Sequence, residues 1–378
     1  MTKTELADRL RKAREAVGLS IGEAATRLGF GNYQTLTNIE KGEREVKASE
    51  LTQFAKTYFC SLNSLLMGED IPQPAVHFLW RRAPSERKAE IEASIKHRFE
   101  EYHLLEKLLG LAEEGSGVMI SILPADIRTA YQVDALATKV SNLLNLGSRP
   151  ALSLQKVMEQ MLRTKILFVK LSEFGSAAST VHPEFGAAIV VNSEEAPWRI
   201  NFTLAHELFH IITWNTFSPS DLEQSEALFK DIEKKAERFA STLLLPESVV
   251  REELNARINE HRLSFSDIVD VARDFGVSTQ ALLYRMANMH LIEWDKANAL
   301  ARNDELMMID RRIRRDVDYE APSSERFMLL AVKCLRKGLI SRGKFSELLD
   351  IDRADIDEFL EYQGLSEVEG ESIEIMAS

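Results

Sequence analysis

Cysteine is nearly missing from this chain of 378 residues: Cys60 and Cys334, far apart and each among apolar neighbours, are the whole complement. Two such thiols cannot build a disulfide framework, and they read as buried groups of a reducing compartment. Long apolar runs are missing as well. None approaches the roughly 20 residues that cross a bilayer, which excludes a membrane-spanning helix. The opening stretch MTKTELADRLRKAREAVG is charged and amphipathic and lacks the apolar core of a secretion signal. Positive charge is outnumbered, 47 lysines and arginines against 59 acids. A net charge of -12 excludes a surface that attracts nucleic acid as a whole, and it confines any DNA contact to a local patch. These absences predict a cytoplasmic protein without membrane contact.

What remains is ordinary for folded domains, with 45% hydrophobic and 28% charged residues and length enough for two or three cores. No internal repeat or low-complexity tract stands out. Residues 1–70 read as five short helices punctuated by glycine. Leu6, Leu10 and Ala13 mark the first, and Ile21, Ala24, Ala25 and Leu28 the second. Tyr33 to Lys41 is the third, Leu51 to Tyr58 the fourth, and Leu62 to Leu66 the fifth. A linker is expected at 68–74, then a mostly helical region 71–149 with a loop at 113–117. After 150 comes a helix around Leu154 to Leu162. KILFVKL (165–171) and FGAAIVVN (185–192) read as strands. A long helix is expected from Leu222 to Leu245, stopped by Pro246. Helices fill 301–378 up to an acidic tail after Gly364, read as disordered.

The stretch FTLAHELFHIITW (202–214) carries the first chemistry. His206 and His210 stand four apart, so on a helix both imidazoles reach one ion. Glu207 is turned about 100° from His206, placing its carboxylate where it can take a proton from water beside that ion. A catalytic zinc site needs a third protein ligand. DIEKKAERFASTLLLP supplies two candidates, Glu233 and Glu237, flanking the apolar stripe Ile232, Ala236, Phe239, Ala240 and Leu243. One can ligate while the other orients a histidine. The break at Ser218–Ser220 lets this second helix fold back on the first. Imidazole plus carboxylate suits Zn2+. An ordinary amphipathic helix carrying two histidines by chance is the competing account.

FTLAHELFH (202–210) and EKKAERFASTLLLP (233–246) resemble the ImmA/IrrE family of zinc metallopeptidases, over roughly residues 150–300. The resemblance implies a zincin-like α+β domain with a small sheet, zinc held by His206, His210 and Glu233, and Glu207 as catalytic base. It implies a supporting role for Glu237. Phe209 stands where the family commonly has glycine, and Glu237 where it has Asn or Asp; neither departure removes a ligand. The implied reaction is peptide hydrolysis. The strand at Ala187–Val191 is a candidate for holding an extended substrate by strand addition, or is a plain core strand.

SIGEAATRLGFGNYQTLTNIEKGERE (20–45) reads as helix, tight glycine turn, helix. It resembles the helix-turn-helix of the Xre/Cro repressor family, over about the first 70 residues. Leu36 and Ile39 should face inward. Tyr33, Gln34, Thr35, Thr37 and Asn38 should face the major groove of double-stranded operator DNA. Lys41, Arg44 and Lys47 are the phosphate-contacting candidates. Acids and bases are about balanced over this stretch, so a bundle for protein contact is the alternative. A second pattern, GLISRGKFSELLDIDRADIDEFLEYQG, has an acidic second helix and reads as a protein-interaction or dimerisation element.

The expected fold is therefore mainly α. It comprises a helix-turn-helix bundle (1–70), a helical connection (71–149), a zincin-like peptidase domain (150–300) and a helical C-terminal region with an acidic tail (301–378). The expected function is a DNA-binding regulator, homodimeric, whose zinc peptidase cuts a repressor, a partner or its own chain in a stress, phage or mobile-element response. Two alternatives stay open: a transcription factor whose peptidase-like domain senses a ligand or metal without cutting, and an antitoxin-like or anti-phage interaction module.

Overall fold

The computed structural model describes residues 2–67, 76, 78–80, 87–112, 120, 122–171, 175–259, 262–315 and 323–365. The linker expected at 68–74, the loop at 113–117 and all of the acidic tail beyond Leu365 lie outside the described residues. The chain divides into two compact units, Met1–Phe78 with Ala83–Leu104, and Leu79–Arg82 with Leu105–Ser378.

In the first unit all five expected helices are present: α1 (Lys3–Ala16), α2 (Ile21–Arg27), α3 (Tyr33–Glu40), α4 (Ala48–Thr57) and α5 (Leu62–Met67). Residues up to Leu104 of α6 (Lys88–Leu108) complete it. Local chemistry starts the helices. Thr2 with Glu5, and Ser20 with Glu23, form reciprocal caps on α1 and α2, and Asn32 accepts from the Gln34 N–H at 2.9 Å to start α3. Gly29 ends α2 with φ of 72°, a left-handed conformation that glycine adopts without strain. Leu10, Leu36, Ile39, Phe54, Tyr58 and Leu65 fill the core.

The buried carboxylates Glu40 and Glu90 of this unit are held by arginines. Arg14 of α1 meets Glu40 at the end of α3, with Nε–Oε1 at 2.7 Å and Nη2–Oε2 at 3.0 Å, both residues under 9% exposed. Glu90, at the start of α6, accepts from Arg87 at 2.7 Å through both oxygens and from Arg27 of α2. Burial works against the Glu90 charge, but hydrogen bonds and charge from Arg87 and Arg27 outweigh it and bring its pKa from 4.5 to about 2. A carboxyl depressed in the folded state stabilises above its unfolded pKa and loses that contribution as pH falls through the folded one. Glu90→Gln should therefore lower stability to urea by roughly 3 kcal/mol at pH 7. The gap to the native chain should close between pH 4.5 and 2. A gap that is constant across that range would show that Glu90 gains nothing from its charge.

The second unit is built on one mixed sheet, in the order β1-β3-β4-β2. The strands are β1 (Leu79–Trp80), β2 (Lys165–Val169), β3 (Ala177–His182) and β4 (Gly186–Asn192). β2 runs parallel to β4, with Ile166 opposite Ile189; β3 is antiparallel to both β4 and β1. The expected strands at 165–171 and 185–192 are β2 and β4, whereas β1 and β3 were not expected. β4 is flanked on both sides, so of the two alternatives for Ala187–Val191 it is the core strand, with no free edge for strand addition.

Helices enclose the sheet. α7 (Ala130–Leu143) and α8 (Leu154–Gln160) precede β2, and α9 (Pro197–Thr213) follows β4. The long helix expected over Leu222–Leu245 is two helices, α10 (Pro219–Gln224) and α11 (Glu226–Leu244). Ser225 leaves helical geometry between them and caps α11 by accepting from the Leu228 N–H at 3.3 Å. α11 packs on α9, with the Phe209 and Phe239 rings 5.5 Å apart and Ala205, Ala236 and Ala240 fully buried. Small residues there bring the two backbones close.

Beyond Pro246 come α12 (Glu247–Asn255), α13 (Phe265–Asp274), α14 (Thr279–Asn288), α15 (Trp294–Ala301) and α16 (Asp304–Arg315). The last are α17 (Glu325–Arg336), α18 (Arg342–Leu349) and α19 (Ile356–Tyr362). Arg326 of α17 and Lys165 of β2 both pair with the buried Glu106 at 2.7 Å, so the C-terminal helices are fastened to the sheet. Among the described residues no helix is long and apolar enough to cross a membrane.

Candidate metal centre

Pro197 opens α9, where a missing N–H costs nothing, and the helix then runs through His206 and His210. One helical turn separates the two, and their Nε2 atoms lie 3.1 Å apart. α11 crosses at this level and delivers Glu233. Its Oε1 is 3.1 Å from His210 Nε2 and its Oε2 is 3.4 Å from His206 Nε2. Donors about 2.0–2.1 Å from a four-coordinate zinc stand about 3.3 Å from one another, the edge of that tetrahedron. Each separation is close to that edge, with the two Glu233 oxygens each facing one imidazole, and one ligand atom from each residue lies within 4.8 Å of the others. Residue exposure is 0% for His206, 4% for His210 and 1% for Glu207.

Burial alone would raise the Glu233 pKa, but the two imidazoles facing it hold it well below the usual carboxylate range. One carboxylate oxygen of Glu207 is buried without a hydrogen-bond partner, and so is Nδ1 of His206. Buried polar atoms are rarely left so, and a carboxylate in that state fits a neighbouring cation or a water that it activates. The donor set of two imidazoles and a carboxylate therefore fits zinc.

The structure thus brings His206, His210 and Glu233 together, with Glu207 on the same helix as the histidines. Glu237 lies one turn beyond Glu233 on α11. It lines a cavity of about 540 Å³ beside the site, and the His206 Nδ1 that a supporting carboxylate would hold has no partner. The cavity begins one helical turn from the donors. Phe202 and Thr203 on its wall precede His206 and Glu207 by four residues, and Glu237 follows Glu233 by four. Sequence reasoning missed this cavity, because its walls come from segments scattered between Ser176 and Trp294.

On the helix-turn-helix, Leu36 and Ile39 are buried as expected, while Tyr33, Gln34, Asn38, Lys41 and Lys47 are exposed. Thr35 and Thr37 are half-buried, and the Thr37 hydroxyl donates to the Tyr33 carbonyl at 3.1 Å. Arg44 is the correction. Its guanidinium donates to both Glu50 oxygens, at 3.1 and 2.7 Å, and lies 5.7 Å from the centre of the Phe30 ring. A guanidinium neutralised in this way ties the loop after α3 to α4 and has little left for phosphate.

Residues 5–62 match the family model of a helix-turn-helix domain, and residues 160–287 match that of the IrrE N-terminal-like domain of a peptidase family. No curated protein matches the chain. Among solved structures, a Mycobacterium tuberculosis transcriptional regulator aligns at 16% identity and a TM-score of 0.32, over 50% of this chain; the alignment spans about half (51%) of the regulator's length. The apo form of ComR from S. thermophilus aligns at 12% identity and a TM-score of 0.17, over 92% of each chain.

Proposed function

We propose that this chain, which carries a helix-turn-helix domain followed by an IrrE-like domain, is a DNA-binding regulator whose second domain is a zinc-dependent endopeptidase. The observation that supports this most is the meeting of His206, His210 and Glu233 within ligand-sharing distance, with the buried Glu207 next to His206 on the same helix. Zinc held there supplies a Lewis acid that polarises the scissile carbonyl and makes water acidic. The chain does the rest. Both imidazoles and Glu233 fix the ion. Glu207 takes a proton from the attacking water as the new C–O bond forms. It passes that proton to the departing nitrogen as the C–N bond breaks, so one water is consumed for each peptide bond. The protein cut is a repressor, another partner or this chain itself, and zinc without cutting marks the sensor alternative.

Metal analysis of the purified full chain tests the centre. Stoichiometric zinc is expected, and its loss in Glu233→Ala. A native chain that stays metal-free after zinc is supplied removes the basis for the peptidase. For the operator, binding-site selection followed by titration of Gln34→Ala with Asn38→Ala reads the other half. Each lost base contact is worth about 1–3 kcal/mol, so affinity for the selected site should drop at least tenfold while binding to random DNA persists. An equal drop on both DNAs would move these residues from base reading to backbone contact.

A further inference from the structure

β4 lies between β2 and β3, so a guest strand can join this sheet only at an outer edge. The edge beside the metal helix is that of β3. β3 packs on α9, the helix of the two histidines, whereas β2 stands at the opposite end of the order. Ser176, the residue before β3, lines the cavity together with Thr203 of α9 and Glu237 of α11. One end of β3 therefore meets the two helices that carry the metal donors. β1 takes the sheet edge at this end. Leu79 lies opposite Ser179 and Trp80 opposite Ala178, and the pairing reaches no further along β3.

β1 is a minimal strand, two residues long. Leu79–Arg82 is counted with the second unit, while the chain before and after it belongs to the first. Leu79 and Trp80 are 8% and 5% exposed, and opposite them Ala178 and Ser179 are small and fully buried. Directly opposed residues share a face, so the bulk at this edge comes from β1 and the room for it from β3. Two residues bring few hydrogen bonds, and the entropy of ordering them offsets the apolar burial they gain. Such a strand can leave without the sheet coming apart, because β3 keeps its pairing with β4 from Ala177 to His182.

Resting on the peptidase reading, we propose that Leu79–Trp80 is a resident placeholder for substrate, holding the β3 edge that an extended segment of the target protein must take over before it is cut. The guest runs antiparallel to β3, as β1 does. It presents a pair of bulky apolar residues to Ala178 and Ser179. It has no proline at that pair, because edge pairing uses the backbone N–H. A segment tethered in the same chain acts at an effective concentration on the order of millimolar, so the placeholder wins at rest. A free peptide binds only for the fraction of time that the placeholder is away.

Binding measured on the zinc-loaded full chain bearing Glu207→Gln tests this without turnover. The probe is a fluorescein-labelled peptide with the sequence VHFLW of residues 76–80, flanked by lysines for solubility and read by anisotropy. Adding Leu79→Gly with Trp80→Gly should let the chain bind the probe about tenfold more tightly than the chain with its strand intact. The same peptide with proline in place of its leucine and tryptophan should bind neither chain. Equal affinity of the two chains, or a proline peptide that binds as well, overturns the proposal. If the glycine variant loses zinc or unfolds early, hydrogen exchange of the Glu207→Gln chain decides. The segment Leu79–Trp80 should exchange faster than β4, through a local opening that dilute urea does not hasten. Exchange in step with β4 overturns the proposal. Because neither readout needs cutting, a native chain that cleaves nothing counts against the peptidase and leaves the placeholder standing. A target cut equally fast with and without the glycine pair does the reverse.

Discussion

Glu207→Gln should cut peptide hydrolysis by about two to four orders of magnitude while zinc content stays at the native level. The substitution keeps the shape of a side chain that is 1% exposed, so the fold has no reason to move. It removes the ability to accept a proton from water. Glu207 Oε2 has no hydrogen-bond partner, so no structural hydrogen bond at that atom is lost with the charge. Intact mass of native and variant chains, followed over time with zinc content in parallel, separates the outcomes. Equal cleavage by the two would end the assignment of Glu207 as base. Loss of zinc together with activity would assign it to metal binding instead.

The other large effect belongs to the helix-turn-helix. Glu40→Ala should destabilise the unit holding it by about 3–5 kcal/mol, because it leaves the Arg14 guanidinium buried and unpaired. A guanidinium keeps its proton in a protein interior even without a partner, so in the variant the arginine cannot escape by losing its charge. Arg14 also donates to the Leu19 carbonyl at 2.8 Å, which fixes the entry to the α2–α3 pair. The combined Arg14→Met and Glu40→Leu change should recover most of the loss, since an apolar pair of similar volume avoids the desolvation cost. Urea unfolding of the four proteins reads this as a double-mutant cycle. A single variant as stable as the native chain would mean that water reaches the pair.

Much of this was legible because it is local. Two histidines and a glutamate within five residues fix one helix face, and Glu233 and Glu237 announce themselves by the same spacing. The strands β2 and β4 show as β-branched runs. Strand β3, AASTVH, is built largely from small and polar residues and is held by its partners, and β1 is two residues long, so neither has a periodicity to read. The break at Ser225 was hidden by apolar spacing that continues across it. Arg44 looked like a free cation because its partner, Glu50, lies on the next helix. The buried Arg14–Glu40 pair spans 26 residues and has no local signature. The cavity is least legible of all, since no single segment contains more than a few of its walls.

The depth of the histidine donors has one last implication. With His206 at 0% and His210 at 4% exposure, the histidine donors would grip an ion where solvent barely reaches, while the Glu233 side chain, 17% exposed, is the looser hold. Withdrawal of metal by a scavenger would then begin at the carboxylate.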